Sequence, residues 1–296
     1  MIQRSNSADA LKQHLTTLNL SLKILFDLSC LDLPDILEEN LEGICTFLAK
    51  YLTYDNQTLH TNDESEAGLL EFVKAAIFEL LTLWIQKYED AIGSHIQQFI
   101  GISWNLLTTL GPDTKYDILT SRTLTFLTSV CALNQYAQVF NNQDTLTQVV
   151  EQAIIPNLSL RDSDMELFED EPIEFIRRDL EGTDSDTRRR AATDFLRQLM
   201  QQFQELVTST VMQYVNHYLQ QYSADSGKWK DKDTAVYLFC SVAAVGTVTV
   251  AQGVVTTNPN VNILEFFQNN IAQDLTSPSS HPISQVDAIK WVAVRF

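Results

Sequence analysis

The side chains able to do chemistry are scattered along the chain. Five histidines, His14, His60, His95, His217 and His281, show neither H-E-x-x-H nor Cys-His spacing, so they read as surface or boundary residues, not metal ligands. Cys30, Cys45, Cys131 and Cys240 form no C-x-x-C pair. That argues against a zinc site or a disulfide framework and fits a reducing, intracellular compartment. No G-x-x-x-x-G-K-[ST], G-x-G-x-x-G or G-x-S-x-G string occurs, so the usual phosphate cradles and the nucleophile elbow are missing. The expectation is a protein with no catalytic residue, no metal and no cofactor, in which any nucleotide belongs to a partner.

Charge is concentrated in one place. RDSDMELFEDEPIEFIRRDLEGTDSDT, residues 161–187, carries eleven acidic residues and three arginines, a local charge of -8. Exposed carboxylates in such a run lack the burial that tunes a catalytic acid or base. Two readings remain open: a solvated acidic loop, or a docking or switching element that steers a basic partner. The apolar residues Leu167, Phe168, Ile173, Phe175, Ile176 and Leu180 argue for partial docking of the segment. Arg177 and Arg178, followed by Arg188, Arg189 and Arg190, imitate a bipartite nuclear-import signal. Local pairing with Asp179, Glu181, Asp184 and Asp186 is the preferred use of these arginines, because the planar guanidinium suits carboxylates.

The rest of the chain must position this segment, and its composition calls for helices. Gly 9 and Pro 7 in 296 residues are less than half of average usage, too few turns for a hairpin-rich β fold. With 38 acidic against 20 basic residues and a net charge of -18, a dominant nucleic-acid-binding surface is excluded, since that requires clustered Lys and Arg. The opening MIQRSNSADALKQHL has no apolar secretory core. The longest apolar run, Ala235–Ala251, is diluted by Ser, Gly and Thr and reads as a buried helix, not a membrane span.

Leu11, Leu15, Leu18, Leu22 and Leu25 recur at helical spacing, predicting a first helix from Ser7 to Cys30, with Leu20 and Ile24 widening its apolar face. Pro34 suits the first turn of a second helix through Leu48. Further helices are predicted at 66–87, from Ile92 to about Gly111, from Asp113 to Val130, and at 143–155. Beyond the acidic segment they continue at 187–203, 205–222 and 231–245. A helix at 262–272 has Asn262 and Glu265 as capping residues, and a last one lies in SQVDAIKWVAVRF. Successive hairpins of about 40 to 47 residues match the HEAT or armadillo period and give roughly six or seven units. The expected fold is all-α, an α-solenoid of HEAT-type helix hairpins forming part of a right-handed superhelix, with a compact helical bundle as the alternative. The expected organisation is helical repeats over 1–160, an acidic insertion over 161–187, and further repeats over 188–296, the last cut short.

The string LFEDEPIEFIRRDLEGTDSDTRRRAATDFLRQL, and within it EFIRRDLEGTDSDTRRRAA, closely resembles the central region of the importin-alpha re-exporters of the importin-beta (karyopherin) superfamily. WKDKDTAVYLF and NILEFFQNNIAQDL downstream, and ESEAGLLEFVK, WNLLTTLG, KYDILTS and DTLTQVV upstream, are similar to the same family. The resemblance implies a nuclear export receptor that binds importin-alpha together with GTP-bound Ran and shuttles between nucleus and cytoplasm, touching nucleoporins on the way. It also implies an internal fragment of a longer chain. By the same carry-over, Asp170, Glu171, Glu174, Arg177, Arg178, Asp179 and Arg188 are the expected hinge or partner-contact residues. A general HEAT scaffold with no Ran-dependent step fits composition and periodicity equally well.

Overall fold

The structure, a computed structural model, describes residues 8–180, 187–244 and 256–295, with backbone alone at 179–180 and 290–295. It is helical throughout; among the described residues the β structure is a single antiparallel bridge between Ala244 and Thr257. The chain divides into two units, one of Met1–Tyr136 with Asp186–Ala191, the other of Ala137–Ser185 with Ala192–Phe296.

The first unit contains α1 (Ala8–Ser29), α2 (Asp35–Glu39), α3 (Leu41–Leu52), α4 (Leu69–Lys87), α5 (Glu89–Thr109) and α6 (Asp117–Ala132). Here α4 packs between α1 and α6 while α3 packs on α5, so consecutive hairpins stack in two layers. Because α4 is flanked by helices on three sides, it buries residues all round, including Ile77, Phe78, Leu80, Leu81 and Trp84 at 0% exposure. Phe126 of α6 meets Phe78 at 5.7 Å and Phe99 at 6.5 Å between ring centroids. Each such fully buried side chain stabilises by about 1.5–3 kcal/mol relative to an exposed one.

The C-terminal carbonyls of α1 have no partner within their own helix, and α4 provides for them. Tyr88 donates to the Ser29 carbonyl at 2.7 Å and Lys87 to that of Cys30, while the Trp84 indole N–H donates to Ser29 Oγ at 3.0 Å. The predicted second helix is broken in two at Asn40, and Pro34 stands at the N-cap instead of inside the first turn. The widened face of α1 also departs from expectation: Leu20, Ile24 and Leu28 are 57%, 59% and 52% exposed. Among the described residues no neighbouring helix covers them.

The second unit opens with α7 (Asn134–Ala137), whose last residue it holds, and α8 (Gln143–Val149). A π turn at Val150–Ile154 leads into α9 (Ile155–Leu158). Pro156 has no N–H to continue an α-helical ladder, and the wider turn directly before it takes up the mismatch. The predicted 143–155 helix thus extends to Leu158. Next come α10 (Asp162–Asp170), α11 (Pro172–Leu180), α12 (Arg188–Ala224), α13 (Trp229–Ala243), α14 (Ile263–Asn270) and α15 (Pro282–Arg295).

Helix α12 is interrupted at Phe203, whose φ of -137° and ψ of 51° are not helical. The sequence pattern, with helices over 187–203 and 205–222, places its break one residue later, at Gln204. Asn262 caps α14 by accepting from the Glu265 N–H at 3.1 Å, as its type and spacing predict. The core of this unit stacks Phe239 on Phe266 at 3.5 Å and sets Phe140 edge-on to Phe195 at 5.7 Å. Cys45 and Cys131, in the first unit, are buried thiols pushed up to about 12, far from the reactive thiolate form.

Candidate functional site

The acidic segment is a helical hairpin over its described length, not a solvated loop. Three features start α10. The Arg161 N–H donates to Asp164 Oδ2 at 2.8 Å, and the Arg161 guanidinium reaches the same carboxylate through Nε at 3.2 Å and Nη2 at 3.3 Å. Asp162 and Asp164 lie in the first turn, where the helix dipole favours anions. The helix ends at Glu171, outside helical φ/ψ, and Pro172 opens α11 at the position where a missing N–H costs nothing.

Apolar residues on the two helices face one seat. Phe168 of α10 and Phe175 of α11 meet edge-on at 5.3 Å. Phe175 is buried with Leu160 and Ile283 in a cluster that also takes in Met165, Leu167, Phe168, Ile176 and Trp229. Leu167, Phe168, Phe175 and Ile176 therefore dock as their pattern predicts, whereas Ile173 is 73% exposed. The side chain of Leu180 lies outside the described residues. An ion pair between Lys230 Nζ and Asp162 Oδ1 at 2.9 Å crosses the edge of the seat, but Asp162 is so exposed that the pair contributes little.

Docking leaves the charges outside. Asp170 and Glu171 are exposed at the bend between the helices. Glu174, half-buried, holds both arginines of α11: Arg178 Nε donates to its Oε1 at 3.0 Å, and Arg177 Nη1 lies 3.9 Å from Oε2. The structure thus brings Glu174, Arg177 and Arg178 together. Asp179 sits in the last turn of α11 with its side chain outside the described residues, as are Glu181, Asp184 and Asp186 entirely. Seven carboxylates between Asp162 and Glu174 against three arginines give the hairpin a negative surface that attracts cations.

Arg188 belongs to the first unit and is used differently. Thr187 caps α12, its Oγ1 accepting from the Arg190 N–H at 3.2 Å. The next side chain, Arg188, 5% exposed, donates through Nε to Asp117 Oδ1 at 2.6 Å. Its Nη1 donates to the Gly111 carbonyl at 3.0 Å and its Nη2 to the Asp113 carbonyl at 2.7 Å. A buried guanidinium is tolerated because three acceptors surround it. Arg188 thus bonds to a loop and a helix start more than seventy residues upstream, while the side chains expected to pair with it locally, those of Asp179, Glu181, Asp184 and Asp186, lie outside the described residues. The sequence carries no spacing rule for such a contact.

Among the described residues, no group of three or more His, Cys, Asp or Glu is placed to hold a metal ion, and no helix is long and apolar enough to cross a membrane.

Comparison with known proteins identifies the family. The Cse1 family model matches residues 1–296. The chain is 46% identical over 274 residues to the importin alpha re-exporter of Saccharomyces cerevisiae, covering 92% of this chain and 28% of that protein. It is 42% identical over 293 residues to Exportin-2 of Homo sapiens, covering 98% of this chain and 30% of that one. The solved structure of the exportin Cse1 in its cargo-free, cytoplasmic state superposes with a TM-score of 0.96 at 43% identity, over 99% of this chain and 32% of the other. The chain spans about three-tenths of the length of these relatives and shares their all-α, HEAT-type solenoid fold. With the family model running from the first residue to the last, the chain belongs to the Cse1 family.

Proposed function

We propose that this chain is the part of a nuclear export receptor that carries importin-alpha out of the nucleus together with GTP-bound Ran, in a protein that shuttles between nucleus and cytoplasm and meets nucleoporins in passage. The observation carrying this reading is the 0.96 TM-score to a cargo-free exportin over 99% of the chain. Stacked hairpins touch only their neighbours, so small rotations between them sum to a large change of curvature. Cargo and Ran that favour the same curvature must strengthen each other's binding reciprocally.

Within this reading the α10–α11 hairpin is the element that responds to partners. Asp170, Glu171, Arg177 and Arg178 form its exposed face; Glu174 fixes the two arginines, Asp179 continues the helix, and Arg188 pins the returning chain. The test is a pull-down of importin-alpha with and without Ran-GTP, comparing this chain with a full-length homologue. In the full-length receptor, Arg177→Ala combined with Arg178→Ala is expected to change the factor by which Ran-GTP strengthens importin-alpha binding. An unchanged factor removes the hinge role. Binding of importin-alpha that ignores Ran-GTP altogether favours a general scaffold.

A further inference from the structure

The seat of the acidic hairpin is built by residues that a single histidine holds in place. Trp229 opens α13 and Ile283 lies in the first turn of α15, and both belong to the cluster on which Phe175 docks. His281 touches the two. Its ring stacks on the Trp229 indole with centroids 3.6 Å apart and planes 4° from parallel. Its Nδ1 accepts the Ile283 N–H at 3.3 Å, while its carbonyl accepts the Gln285 N–H at 3.1 Å, so His281 is the N-cap of α15. The turn before it is anchored by Asp274, which accepts from Ser280 Oγ at 2.8 Å and pairs with the buried Lys232 ammonium at 2.6 Å.

This geometry requires a neutral imidazole. We propose that His281 is a pH-responsive pin: uncharged, it holds Trp229 and Ile283 as the seat of the acidic hairpin, and protonation of its Nδ1 releases the cap and loosens the hairpin. A protonated Nδ1 has no lone pair to offer Ile283, and it places positive charge at the positive end of the α15 dipole. Of the charged groups around the ring, Asp233 on α13 favours protonation and Lys230 on the same helix opposes it. Lys230 is in turn bonded to Asp162 of the hairpin. Burial is the largest influence and moves the histidine below its ordinary 6.5. The folded pKa is therefore depressed, so the cap's contribution is complete above 6.5 and is lost as pH falls through the lower, folded value. No partner enters this inference, so it stands or falls separately from the transport reading.

The test is amide hydrogen exchange of residues 162–180 in the full chain, corrected for intrinsic rates, between about pH 7.5 and about pH 5. The wild-type hairpin is expected to open about fivefold more at the acid end, the effect of losing one N-cap acceptor. His281→Asn keeps a capping acceptor that does not titrate and is expected to flatten the profile. His281→Phe keeps the stacked ring without the cap and is expected to be loose at both ends. A wild-type hairpin indifferent to acid, or an asparagine variant with the wild-type acid response, overturns the proposal. An NMR titration of the His281 imidazole provides a reading free of substitutions: it must fall in step with the loss of hairpin protection, and a titration out of step also overturns the proposal.

Discussion

Arg188 Nε donates to Asp117 Oδ1 at 2.6 Å, joining the first turns of two helices 71 residues apart in sequence. The pair is asymmetric, since the Arg188 side chain is 5% exposed and that of Asp117 is 32% exposed. Removing the arginine leaves a carboxylate that water can reach, but it also takes a donor from the Gly111 carbonyl and one of two donors from the Asp113 carbonyl, which keeps the Tyr116 N–H at 3.1 Å. Arg188→Ala is expected to cost about 3 kcal/mol, the lower end for a broken buried pair. Arg188→Lys is expected to recover little, because one ammonium cannot serve three acceptors spread around a planar fork. Urea unfolding followed by the fluorescence of Trp84 and Trp104 measures both, and an alanine variant with the wild-type midpoint contradicts the role assigned to Arg188.

Phe175 and Ile173 lie two residues apart on α11 and separate docking from mere hydrophobicity. Phe175 is 6% exposed in its cluster and Ile173 is 73% exposed. Phe175→Ala is expected to remove about 3 kcal/mol from hairpin docking and to raise amide exchange over α10 and α11. Ile173→Ala is expected to leave exchange unchanged. Equal effects from the two would mean that the hairpin does not use its apolar face as a seat.

Much of this was legible in the sequence because it is local. The periodicity of Leu11, Leu15 and Leu22 gives α1, the cap formed by Asn262 starts α14, and a break within one residue of Phe203 divides α12. Apolar residues within a charged run mark Leu167, Phe168, Phe175 and Ile176 for docking, but they mark the exposed Ile173 equally. The partners of Arg188 were not legible, since an arginine beside many carboxylates gives no sign that it will bond to distant carbonyls. Nor was His281, a lone histidine before a proline: its importance depends on Trp229, 52 positions earlier in the chain, being brought against its ring. The exposed Leu20 and Ile24 fail differently, because periodicity marks an apolar face without saying what covers it.

Tyr214 and Glu151 provide a test in alkali. The Tyr214 hydroxyl donates to Glu151 Oε1 at 2.7 Å, and burial, followed by this bond and the carboxylate's charge, pushes the phenol up to about 12. A folded pKa above the ordinary 10.0 means that the contribution is complete below pH 10 and is lost as pH rises toward about 12. Tyr214→Phe is expected to flatten that part of the stability profile. Glu151→Gln is expected to bring the phenol back toward its ordinary value by removing the negative charge. Ultraviolet difference titration of the two variants against wild type reads both effects, and a Tyr214→Phe titration identical to wild type at the alkaline end refutes the assignment.

Asn258, 1% exposed, is saturated by its surroundings. Its Nδ2 donates to the Val242 carbonyl at 2.8 Å and to Thr208 Oγ1 at 2.9 Å, and its Oδ1 accepts from Gln204 Nε2 and the Asn260 N–H, each at 3.0 Å. The amide orientation is fixed by Val242, whose carbonyl can only accept. Asn258→Asp changes shape hardly at all but turns an oxygen toward that carbonyl and buries a charge, an expected loss of about 2–4 kcal/mol at neutral pH. Burial raises the pKa of the introduced carboxyl, and once protonated it donates to Val242 as the amide does. The deficit of this variant relative to wild type should therefore shrink on acidification, whereas that of Asn258→Ala should not. Denaturation midpoints of the three proteins at neutral and mildly acidic pH decide the matter: a pH-independent deficit in the aspartate variant would show that residue 258 is not held by the Val242 carbonyl.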